Sequence, residues 1–310
     1  MVLCFLILPT LIIEIHTASD RSLGKILVPP SAFVKDIKIQ VAKQNKKLNI
    51  HRQSIRSSLQ GKDLKDDVLV ASLKLQNGSK IYVKDLGPQI SWRFVFLCEY
   101  LGPLLVYLSF VTRPKYIYGE LNELYPYTGT AKIAAICWSV HYAKRLLETI
   151  FVHRFSHATM PILNLFKNCT YYWAFSAYVA YYTNHNLFTP PHVAQVIFGL
   201  LLFSFSEMGN LSTHLLFRKL RPVGTSVRQI PIPDGLLFNY LFQYVSCPNY
   251  TYEIVAWLGF SIMTSCVPAL LFTLIGGYQM TVWALSKHRK YKKEFPKYPK
   301  NRKAIIPFIL

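Results

Sequence analysis

Two regimes of hydrophobic patterning divide the chain near Trp92. Before it, apolar and polar positions alternate in short runs, as half-buried strands require. LIIEIHTA alternates from Leu11, DRS turns the chain, and LGKILV returns it, which predicts a β-hairpin. Ser31 stands where a helix cap belongs, with Val34, Ile37, Val41 and Ala42 along one face. SIRSSL, VLVASL and NGSKIYVKDL follow, and Asn77-Gly78 marks a tight turn before a last strand. After Trp92 the apolar runs are long: Phe94–Val111, Ile133–Ile150, Tyr171–Tyr182, Val193–Phe205, Leu236–Val245 and Ile254–Leu285. The last is long enough for two spans, or for one span and a re-entrant turn.

The first regime, ββαβ then β, has the order of a ubiquitin-like β-grasp. The second predicts a polytopic membrane helical bundle of about six spans, with five to seven allowed. The expected fold is therefore mostly α, with an N-terminal α+β ubiquitin-like domain. The divisions are 1–10, an apolar leader too short to span a bilayer; 11–87, the ubiquitin-like domain; 88–285, the membrane domain; and 286–310, a basic tail.

Charge supports this division. The 310 residues include 35 Lys+Arg against 15 Asp+Glu, a formal +20, yet only 16% are charged and 52% are hydrophobic. A disordered chain lacks that hydrophobicity. A nucleic-acid binder shows its charge as a stripe on a soluble fold, whereas here it sits at the two ends and in connectors. The tail SKHRKYKKEFPKYPKNRKAIIPFIL carries nine Lys/Arg and one Glu, which places it in the cytosol. The basic N-terminal domain belongs there too, and an even number of spans satisfies both. The six cysteines contain no CxxC pair, so neither a disulfide framework nor a zinc site is expected.

Ionisable groups inside apolar spans are costly and point to function. Glu99 lies ten residues after Gln89. His141, Lys144, Arg145 and Glu148 share one helical face, which is either functional or solvated. His153 and His157 have metal-compatible i,i+4 spacing but no third ligand in the motif, so no metal is expected. GNLSTHLLFRKLRPVGTSVRQIP places Asn210, His214, Arg218, Arg221, Gly224 and Arg228 at a span end. Clustered Arg with Gly suits phosphate recognition, and it also suits positive-inside flanking charge. CPNYTYE delivers Tyr250, Tyr252 and Glu253 to another span end, where a Tyr hydroxyl can donate a proton or anchor at the interface. No GxGxxG or Walker loop is present.

DLGPQISWRFVFLCEYLGPLLVY, HYAKRLLETIFVHRFSHATMP, NCTYYWAFSAYVAYYTNH, GNLSTHLLFRKLRP, VSCPNYTYEIVAWLGF and YKKEFPKYPKNRKAIIPFIL resemble the very-long-chain trans-2-enoyl-CoA reductases of the steroid 5α-reductase family. The resemblance runs from about residue 11 to residue 310. It implies an endoplasmic reticulum membrane enzyme that uses NADPH to reduce trans-2-enoyl-CoA in fatty-acid elongation and in sphingosine-1-phosphate breakdown. It implies membrane lipid as surroundings and other elongation enzymes as partners, with no nucleic acid. The residues associated with activity in the family match Gln89, Glu99 and Tyr250. The expected cofactor residues are Asn210, His214, Arg218, Arg221, Tyr291, Tyr298 and Arg302. Rival readings are a steroid or sterol double-bond reductase, an S-adenosylmethionine-dependent membrane methyltransferase, and a non-catalytic scaffold docking through the β-grasp domain.

Overall fold

The computed structural model describes residues 10–120, 125–155, 158–222 and 229–310. The expected leader, apart from residue 10, lies outside them, as do Gly224 and Arg228. The chain forms two compact units, one of residues 1–92 with 157–164, the other of residues 93–156 with 165–310.

In the first unit, β1 (Leu11–Thr17) and β2 (Ser22–Val28) form the expected hairpin. Their alternation sends Ile13, Ile15, Ile26 and Val28 to the core under helix α1 (Val34–Gln44). Ser31 does not cap this helix. Phe33 is the N-cap residue, and its backbone N–H donates to the Asp36 carboxylate at 2.8 Å. An acid three residues into the helix satisfies that donor without a Ser. β3 (Gln53–Arg56) and β4 (Ser79–Asp85) complete a sheet of order β2-β1-β4-β3, in which β1 and β4 are parallel. VLVASL gives a short 3₁₀ turn, Val70–Leu73. At the Asn77-Gly78 turn, Gly78 has φ +82° and the Asn77 side chain accepts the Ile12 backbone N–H at 2.9 Å. A second, two-stranded sheet pairs β5 (Gln89–Ser91) with β6 (Thr159–Pro161).

The second unit is helical: α2 (Trp92–Val111, whose first residue belongs to the other unit), the single turn α3 (Lys115–Tyr118), α4 (Gly129–Phe151), α5 (Leu163–Thr183, whose first two residues belong to the other unit), α6 (Val193–Leu220), α7 (Pro248–Thr264) and α8 (Val267–Glu294). Setting α3 aside, these are six long helices among the described residues, in keeping with the expected number of spans. By length and composition, α2, α6 and α8 are apolar enough to cross a membrane. The run 254–285 resolves into two helices: Ser265 ends α7 at φ +48°, and Pro268 opens α8. Leu236–Val245 is no span but mostly one 3₁₀ segment, Leu237–Gln243. The tail begins as helix, since α8 runs on to Glu294.

Aromatic rings fill the bundle core. Trp138 stacks on Tyr107 at 4.8 Å and meets Trp257 edge-on at 5.1 Å. Trp138 also donates its indole N–H to the Pro103 carbonyl at 3.1 Å. Helices α6 and α7 touch through glycine. A Cβ on Gly199 would stand 2.5 Å from the Met263 nitrogen, and one on Gly259 would stand 2.7 Å from the Phe203 nitrogen. Backbones this close exclude a side chain, the usual reason for small residues between membrane helices. Gly199→Ala is expected to cost about 1–3 kcal/mol through overpacking. Earlier loss of the monodisperse peak on heating in detergent would register that cost; an unchanged profile would refute it.

Candidate functional site

The polar face of α4 points inward, so the reading of it as a solvated face is overturned. His141 and Glu148 are buried, and the face joins α6 and α7 in one network. His141 Nδ1 lies 2.7 Å from Glu207 Oε1, and its Nε2 lies 3.4 Å from Glu253 Oε1. Lys144 Nζ sits 2.8 Å from Glu207 Oε2 and donates to Asn210 Oδ1 at 2.8 Å. Arg145 donates to Glu148 Oε2 at 2.7 Å and to the Tyr100 hydroxyl at 2.8 Å. His214 Nδ1 lies 3.0 Å from that same Glu148 oxygen. Asn210 donates to the Asn249 carbonyl at 3.0 Å and to Glu253 Oε2 at 2.9 Å. Buried charges persist only when paired in this way.

Glu148, His153 and His214 offer ligand atoms within 4.8 Å of one another. Burial, helped by the charges of Arg145 and His214, holds the His153 imidazole down at about 3, so it is neutral at pH 7. The Arg145 guanidinium already serves as the cation here, 2.7 Å from Glu148 and 3.2 Å from His214. The donor set therefore suits an anion-and-dipole site better than a metal. His157 lies outside the described residues.

Within the second unit, the predicted site residues fall into separate places. Glu99 is buried on α2 and accepts a hydrogen bond from Asn168 of α5 at 2.5 Å. Gln89, in the other compact unit, turns its amide back onto the Leu86 and Gly87 carbonyls at 3.0 and 3.4 Å. Asn210 and His214 belong to the buried network. Arg218 is exposed at the end of α6, and Arg221 donates to the Arg154 carbonyl at 3.1 Å. Tyr250 opens α7, half-buried, and its hydroxyl finds no hydrogen-bond partner among the described residues.

Tyr291, Tyr298 and Arg302 do come together. The two Tyr rings stack at 5.7 Å, and the Arg302 guanidinium lies 5.1 Å over the Tyr298 ring. Tyr298 and His288 both meet the Ser246 hydroxyl. Residues 303–304 pair with 244–247 through backbone hydrogen bonds, which ties the tail to the mouth of α7. A cavity of 510 Å³ beside this tie is lined by His288, Lys292, Lys300, Asn301, Arg302 and Lys303 among others.

Sequence reasoning missed Glu207, Tyr142, Asn249, Ser246 and His288. Glu207 stood within reach as the one carboxylate on α6. Tyr142 is fully buried and its hydroxyl lacks a partner. Arg145 Nε and Asn249 Oδ1 are likewise buried without a hydrogen-bond partner among the described residues. Donors and acceptors left open along α4 and α7 fit a polar ligand such as a carboxamide, because a buried polar atom without a partner is costly.

The chain resembles known proteins over nearly its whole length. Residues 15–85 match the family described as TECR, ubiquitin-like domain, and residues 158–310 match 3-oxo-5-alpha-steroid 4-dehydrogenase. It is 53% identical to a probable very-long-chain enoyl-CoA reductase of Caenorhabditis elegans over 90% of this chain and 92% of that one. The chain belongs to the very-long-chain enoyl-CoA reductase family. A reductase of that name from Dictyostelium discoideum is 44% identical over 96% of this chain and all of its own length. A putative enoyl-CoA reductase of Trypanosoma brucei brucei is 37% identical over the same shares. Membership makes this reductase an oxidoreductase acting on CH–CH groups and brings a nicotinamide cofactor. The unpartnered atoms above fit the nicotinamide, and the cationic cavity fits its phosphates.

Proposed function

We propose that this reductase converts trans-2-enoyl-CoA to saturated acyl-CoA with NADPH, as the last step of the very-long-chain elongation cycle and in sphingosine-1-phosphate breakdown. Its place is the endoplasmic reticulum membrane, with the N-terminal domain and tail cytosolic, near other elongation enzymes. The observation that carries the reading is the buried network of α4, α6 and α7 with its open polar atoms. The acyl chain lies among the apolar helices, and the CoA head stays in the cytosol.

The thioester carbonyl makes C3 electrophilic. NADPH, when bound, supplies a hydride to C3. Negative charge then develops on the thioester oxygen, where the positive Lys144–Arg145 pair favours it. Tyr250 donates a proton to C2, and Glu99 and Gln89 orient the substrate or the nicotinamide. Asn210, His214, Tyr291, Tyr298 and Arg302 hold the cofactor, with Arg218 and Arg221 available to phosphate. Tyr142, buried and unpartnered, is the second hydroxyl placed to give a proton.

The test is nicotinamide oxidation by the purified, detergent-solubilised chain with trans-2-hexadecenoyl-CoA, with the product identified by mass. NADPH is expected to support turnover well above NADH. Reduction of a 3-oxo-Δ4 steroid in place of the thioester would transfer the reading to steroids. A folded protein that oxidises neither cofactor with any enoyl-CoA would overturn it.

A further inference from the structure

Tyr250 lies against two residues of α8 that are four positions apart, and so on one face of that helix. The Trp283 ring is 6.1 Å from the Tyr250 ring, and the Lys287 ammonium is 5.4 Å from its centroid. The same ammonium is 5.4 Å from the centroid of Phe217 on α6. A lysine over an apolar surface ordinarily keeps its charged head in water. Lys287 is half-buried, and aromatic rings of α6 and α7 are among the groups its ammonium meets. Among the described residues, the charged and titratable groups whose fields reach Tyr250 include Lys287, Arg145 of α4, Glu253 one turn along α7, and Cys247 at its cap.

We propose that Lys287 is a positioning residue that acts through Tyr250, fixing its ring and stabilising the phenolate formed when the proton leaves. The inference rests on Tyr250 as the proton donor. In that step the Tyr250 O–H bond breaks, and the enolate electron pair forms the C2–H bond. The thioester C=O is restored, and negative charge remains on Tyr250 Oη until water returns a proton. Charge therefore moves from the substrate to a phenol already beside a cation, which is how a fixed charge favours one proton position over another.

The experiment measures kcat against pH for the full-length enzyme, Lys287→Met and Lys287→Arg, with NADPH and trans-2-hexadecenoyl-CoA saturating. Met keeps the stem and removes the charge; Arg keeps the charge. A nearby cation favours the ionised form of an acid. Activity needs the protonated phenol, so the alkaline limb falls where the phenol ionises. Without Lys287 the phenol ionises at higher pH, and the limb is expected to move up. The plateau kcat is expected to fall roughly tenfold or more, with both KM values unchanged and Arg restoring the limb. An unmoved limb overturns the proposal, and so does a raised KM for the thioester alone, which makes Lys287 a phosphate contact. Should the Met variant not fold, Lys287→Gln is read by the same criteria. Tyr250→Phe separates the two ideas: full turnover there removes the proton-donor reading itself. Collapse there beside an unmoved Lys287→Met limb removes Lys287 alone.

Discussion

Tyr250→Phe is expected to lower kcat by about 10²-fold or more while leaving KM for the thioester near its original value. Removing a general acid typically costs 10²–10⁴-fold. The ring, its contact with Trp283 and the cation above it all survive the change, so the loss isolates the hydroxyl. Tyr142→Phe supplies the comparison, because the Tyr142 phenol is buried with no hydrogen-bond partner among the described residues. Collapse in Tyr142→Phe with turnover kept in Tyr250→Phe would move the acid to α4. The readout is NADPH oxidation under saturating substrate, with variants matched for elution profile.

Glu148→Ala should unfold the bundle at markedly lower temperature. The Glu148 carboxylate is buried, and it faces Arg145 at 2.7 Å and His214 at 3.0 Å, with Lys144 at 4.0 Å. Removing one partner of a buried pair leaves the other uncompensated and costs about 3–5 kcal/mol. At about 2–4 °C per kcal/mol for chains of this size, that is a drop on the order of 10 °C. Thermal loss of the monodisperse species in detergent measures it. An unchanged profile would mean that water reaches Arg145 and replaces the carboxylate.

Much of this could be read from the sequence, for definable reasons. The alternation in LIIEIHTA and LGKILV specifies both the strands and the face they bury, because a period of two allows one core side. The i,i+3 and i,i+4 spacing of His141, Lys144, Arg145 and Glu148 specifies a shared face but not its direction. In water a polar face turns outward. Among apolar helices it turns toward the partners that satisfy it, and those partners lie 66 residues away at Glu207 and Asn210. No local pattern joins positions so distant. CPNYTYE posed a similar ambiguity. Tyr250 and Tyr252 look equivalent in sequence, yet Tyr252 is spent on the Phe238 carbonyl and packs over Gly209. The tail's basic run was plain. Its return to pair with residues 244–247 was not, because backbone pairing leaves little compositional trace.

The parallel pairing of β1 with β4 also sets a clock on biosynthesis. Ile13 finds its partner only when Ser79 has been made, several seconds later at ordinary translation speeds of about 5–20 residues per second. Trp92 opens the first long apolar helix soon after Asp85 closes the sheet. The ribosome therefore releases the last strand of the four-stranded sheet and the apolar helix α2 almost together. Closure of the sheet and capture by the insertion machinery fall in the same interval, so slowing either one exposes the other.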